Sequence, residues 1–147
     1  MTLFEAPEYD PARERRRKLL IAIAVLAVVL ATLVAYLYRN WREERVVQKF
    51  FTALQARDYE NAYAIWMADP EWKQHTERYR TYPFEDFYRD WGPGGEWGLI
   101  RSFHVDGSAS PPQGGSGIVV EVTVNERHQK ARLWVEKKDR SLTFSPF

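Results

Sequence analysis

The chain has 147 residues, room for one domain of ordinary size and little beyond it. Its 21 Lys and Arg against 20 Asp and Glu leave no global field to draw in nucleic acid, and the absence of cysteine excludes disulfides, thiolate metal sites, covalent c-type haem attachment and Cys nucleophiles. Six Trp, eight Tyr and eight Phe are many for this length, and such rings carry large contact areas in cores and interfaces.

Residues 1–18, with Pro7 and Pro11 and few aliphatic side chains, read as a short cytoplasmic tail whose default state is disorder unless a partner holds it. From Leu19 to Tyr38 come 20 residues without a charge, Gly or Pro, 12 of them Leu, Ile or Val. As a helix this stretch would span about 30 Å, the thickness of a bilayer hydrocarbon core, so a transmembrane helix is expected over 19–38. Tyr36, Tyr38 and Trp41 supply aromatic anchors at its far end, and Arg13, Arg15, Arg16, Arg17 and Lys18 crowd its near end. Cations cluster on the cytoplasmic side of such helices, so the C-terminal part is expected to be exported. A cleaved signal peptide is the rival reading. Its apolar region would run only about 7–15 residues, and Leu33-Val34-Ala35 makes a poor cleavage site. Ala24, Ala27, Ala31 and Ala35 fall on one stripe of the helix, where small residues admit a second transmembrane helix; alanine as a plain helix former explains the same pattern.

The exported domain, residues 39–147, balances 16 basic against 16 acidic residues. Val46, Val47, Phe50, Phe51 and Leu54 recur at helical spacing. Arg57-Asp58 then marks a bend, and Asp58 caps a second helix with Tyr59, Ala62, Tyr63 and Trp66 on one face. Asp69-Pro70-Glu71 signals a third helical start, carrying Trp72, His75 and Tyr79. Pro83 opens a fourth and Gly92 closes it, with Phe84, Phe87, Tyr88 and Trp91 on its apolar side. After Gly95 the pattern turns to alternation. A strand is expected over residues 99–106 with Asp106-Gly107 starting a turn, then one in IVVEVTVNE, one in KARLWVEKK and a last in LTFSPF. Helices first and an antiparallel meander after define an α+β domain, three to four helices on a curved sheet of about four strands.

VVQKFFTALQARDYENAYAIW, a short helix, FEDFYRDWGPGGEWG and a terminal run of strands together resemble the nuclear transport factor two-like superfamily, over about residues 43–147. The resemblance implies a cone in which bent helices close over a strongly curved sheet. Several bacterial proteins similar in architecture carry one transmembrane helix and an exported cone, among them an inner-membrane subunit of type IV secretion systems and membrane proteins associated with mammalian-cell-entry lipid transporters. Such relatives imply a non-catalytic accessory or assembly subunit of an inner-membrane complex, whose partners are membrane lipid and other membrane subunits. Ketosteroid isomerase resembles the same cone, so fold alone does not decide.

Two uses of the domain compete. In the first, exposed aromatics, Trp41, Trp91, Trp97 and Phe147, contact partner proteins. In the second, a cone lined by Tyr59, Tyr63, Trp66, Phe87 and Phe103 binds a small apolar molecule. For catalysis the candidates are His104 and Asp106 on one strand face with Tyr59 or Tyr63, although Asp106-Gly107 also reads as a solvent-facing turn. His75, His104 and His128 have no metal-ligand spacing, and Lys137, Lys138 and Arg140 sit beside acids, so no metal, cofactor or nucleic acid is expected.

Overall fold

A computed structural model describes residues 10–147, which fall into two units meeting between Arg39 and Asn40. The part of the expected tail over residues 1–9 lies outside the described residues.

The first unit is one helix, α1, Pro11–Leu37. It begins eight residues before the apolar run, so the expected disorder does not extend over residues 11–18. The reason is local: Asp10 caps the helix, its carboxylate accepting from the Ala12 and Arg13 N–H at 3.0 and 3.3 Å, Pro11 occupies the first turn, and Glu14 pairs with Lys18 at 2.7 Å. Thr32, the one polar residue of the apolar run outside its aromatic end, spends its hydroxyl on the Val28 carbonyl at 2.8 Å. The helix is long and apolar enough to cross a membrane, and none of its residues is buried.

In the second unit α2 (Trp41–Gln55) and α3 (Tyr59–Met67) are separated at Arg57-Asp58. Arg57 takes a left-handed conformation, φ 59°, and Asp58 then accepts from the Asn61 N–H at 3.2 Å, so the bend is also a cap. The third expected helix does not form. Two 3₁₀ turns, Trp72–Gln74 and Thr76–Tyr79, break at His75. Asp69 does cap the restart through the Glu71 N–H (2.9 Å). Its other oxygen is claimed by His75 Nδ1 and the Tyr79 hydroxyl, both at 2.7 Å, and the chain curls around that carboxylate. Helix α4, Phe84–Trp91, follows Pro83 and stops at Gly92, where a Cβ would lie 2.3 Å from the Tyr88 carbonyl oxygen.

Strands β1 (Phe103–Ala109), β2 (Gly117–Val124), β3 (Lys130–Glu136) and β4 (Leu142–Phe144) form an open antiparallel meander in sequence order. The first strand starts four residues later than expected and runs through the expected turn: Asp106 is the extra residue of a bulge between Val105, opposite Val122, and Gly107, opposite Glu121. Gly107 has φ 155°, a conformation other residues rarely adopt. One sheet face buries Ile118, Val120, Val122, Val124, Leu133 and Val135 beneath the helices, and the other carries the polar partners of the alternation.

Candidate functional site

The aromatic residues expected to line a pocket meet under the helices. Phe50 is their hub, with ring centroids 5.3 Å from Phe51, 5.3 Å from Trp66, 6.1 Å from Phe87 and 5.1 Å from Trp91, mostly edge to face. Tyr63 lies 5.2 Å from Phe87 and 4.8 Å from Trp72. Its hydroxyl donates to the Tyr82 carbonyl at 2.7 Å, and burial pushes its pKa up to about 12. Tyr63, Trp66 and Phe87 are therefore core, and the space expected to receive a small apolar molecule is occupied by rings. Phe103 stacks on Phe51 at 5.5 Å and borders a surface hollow of about 330 Å³, and Tyr59 packs at the helix edge against Tyr88, 5.0 Å away.

The expected acid–base set does not assemble. Phe103 and Val105 turn toward the helices, while His104 and Asp106 are exposed on the opposite sheet face, so the sheet lies between them and Tyr63. Lys130 Nζ and the Thr123 hydroxyl, 2.9 and 2.7 Å from Asp106 Oδ2, hold that carboxyl below the usual range, an anion engaged in a cross-strand pair. Among the described residues the one His–carboxylate ion pair is elsewhere, at Asp69. Tyr79 and His75 hydrogen bonds lower its pKa, and Tyr79 is in turn raised by its own burial and by that carboxylate. Sequence spacing offers no sign that His75 and Tyr79, six and ten residues on, share one oxygen.

Of the four aromatics expected at partner contacts, Trp41 (46% exposed) and Phe147 (57%) are on the surface. Trp91 (2%) and Trp97 (7%) are buried, which corrects that expectation. Trp91 closes the core beneath Phe144, with parallel rings 5.8 Å apart, and Trp97 lies under the Arg127 guanidinium. Phe144 itself was missed. It touches Trp66 and Trp91 yet is 51% exposed, because it sits on the edge strand. Around β4 the Glu136 N–H bonds to Ser141 and the Ser145 N–H to Arg132, so the main-chain groups of Leu142 and Phe144 face away from β3. An aromatic outcrop thus coincides with a strand edge that is unpaired among the described residues. Near the end of the chain Phe147, Pro111, Pro112 and Val119 line a second apolar hollow of about 400 Å³.

Compared with protein-family models, curated proteins and solved structures, the chain matches none.

Proposed function

We propose that the chain is a single-pass, membrane-anchored accessory subunit of a larger inner-membrane protein complex, without a reaction centre of its own. The observation that carries this reading is α1: 27 residues, apolar over most of its length, with none of its residues buried. A run of 20 uncharged, mostly apolar residues left in water would expose a surface far larger than soluble proteins tolerate, so a bilayer is the solvent that suits it. The cations at 13, 15, 16, 17 and 18, all exposed on the helix, favour an N-terminus inside the cell and an exported domain. Ala24, Ala27, Ala31 and Ala35 provide the stripe on which a second transmembrane helix would lie.

Two features of the second unit support a docking role. Its aromatic core is filled by its own side chains, and large rings crop out at Phe144, beside an unpaired edge, and at Phe147. The order of helices and meander, with helices on one sheet face, supports placing it with the nuclear transport factor two-like cones. Purification from native membranes in mild detergent tests the proposal: stoichiometric membrane partners are expected, and recovery as a clean monomer at low concentration defeats it. An alkaline phosphatase fusion at the C-terminus should be active, and a stable inactive fusion reverses the orientation.

A further inference from the structure

Helix α2 has an exposed face without a single acid. On a helical projection Trp41, Arg42, Arg45, Gln48, Lys49, Thr52 and Gln55 share an arc of about 140°, and all seven are exposed. The two acids of the helix fall outside that arc, although Glu44 stands at its edge and shares a surface hollow with Trp41, Arg45 and Gln48. Glu43 is buried, and Glu44 accepts from the Ser108 hydroxyl at 2.6 Å, which itself accepts from Asn40 Nδ2 at 3.1 Å. No carboxylate among the described residues forms an ion pair with Arg42, Arg45 or Lys49. The Arg45 guanidinium lies 5.0 Å over the Trp41 ring. Beside the cations a recess of about 740 Å³ between α2 and α3 is lined by Lys49, Thr52, Asn61 and Ile65. Asp58 reaches that recess but spends an oxygen on the Asn61 N–H.

We infer that this face is a docking surface for anionic phospholipid headgroups of the bilayer that α1 crosses. The inference rests on the membrane-anchor reading. Helix α2 begins four residues after α1 ends, so chain length alone keeps Trp41 within about 14 Å of the end of α1. Surface potential acts over a Debye length of about 8 Å at physiological salt, so a tethered cationic face meets it at high effective concentration. Trp41 at the head of the stripe is the amphipathic ring that favours the headgroup layer, and the three cations behind it match lipid phosphates in sign.

The chain has no cysteine, so a single reporter can be placed on this face. Thr52→Cys in the full chain, labelled with a polarity-sensitive fluorophore, would be compared in nanodiscs of phosphatidylcholine and in discs containing phosphatidylglycerol. The label should shift to the blue and lose access to a soluble quencher only in the anionic discs, and high salt should reverse both changes. Each cation is worth roughly five-fold in the ratio of docked to free face, so the combined Arg42→Gln, Arg45→Gln and Lys49→Gln variant should lower that ratio on the order of 100-fold. An identical signal in both lipids, or a shift that survives the triple substitution, overturns the inference. So does protection that appears only in native membranes, which assigns the face to a protein. Carbonate washing separates the two readings. A chain that is washed off fails as a membrane anchor, whereas a retained chain with a lipid-independent label fails only in lipid docking.

Discussion

Asn125 should be among the most costly polar side chains to remove from the second unit. It sits just past β2 in the left-handed region, φ 51°, where asparagine is better tolerated than most residues. Its Oδ1 accepts from the Arg101 and Ser102 N–H groups at 2.7 and 3.3 Å, and its Nδ2 donates to the Trp97 and Leu99 carbonyls at 3.2 and 2.9 Å. One amide thus satisfies four main-chain groups of a segment that has no strand beside it there. At about 0.5–1.5 kcal/mol each, discounted because Arg101 and Ser102 are exposed, the bonds amount to roughly 2–3 kcal/mol. The left-handed backbone adds about 1 kcal/mol against alanine. Asn125→Ala is therefore expected to cost about 3–4 kcal/mol, and Asn125→Gly, which relieves only the backbone, about 2–3 kcal/mol. All six tryptophans lie at or beyond Trp41, so urea unfolding of the full chain in detergent, followed by tryptophan fluorescence, reports the second unit alone. A cost below about 1 kcal/mol for the alanine variant, or glycine restoring wild-type stability, would refute the reasoning, because the amide would then be replaceable by water.

Two further predictions concern the core and the acid limb. Phe87→Ala removes a fully buried ring from among Phe50, Tyr63 and Trp66 and should cost about 3–5 kcal/mol, read as a lower thermal midpoint; a variant as stable as wild type would mean the rings line a cavity after all. The Asp69 pKa is depressed in the folded state, chiefly by Tyr79 and then by His75. Its contribution to stability is therefore complete above the unfolded value, near 3.8, and is lost as pH falls below that through the folded value. Asp69→Asn should accordingly flatten the acid limb of the stability profile below about pH 4, and an acid limb unchanged in shape would show that the carboxylate is not coupled to folding.

What the sequence made legible were features with a short period or a local cap. The alternation of Ile118, Val120, Val122 and Val124 marks the buried face of β2, the Asp58 cap divides α2 from α3, and the uncharged run of α1 stands out by length alone. Periodicity says which residues share a face, but not what covers that face. Trp91 and Phe144 illustrate the gap: parallel and in contact, one is buried and the other half exposed, because β4 ends the sheet and no described residue beyond it shields the outer ring. The same limit explains the two local failures. Residues 99–102 alternate as a strand should, yet the Arg101 and Ser102 N–H groups and the Leu99 carbonyl bond to the Asn125 side chain and the Arg101 carbonyl to Gln55, so no strand forms until Phe103. Asp69 signals a helix start correctly and caps it through one oxygen, while His75 and Tyr79 turn back to the other and the chain breaks into two 3₁₀ turns at His75. Local chemistry proposes an element, and a long-range hydrogen bond decides whether it forms. That ordering also bears on function, since Glu44, the acid at the edge of the cationic α2 face, is engaged by the hydroxyl of Ser108, 64 residues away.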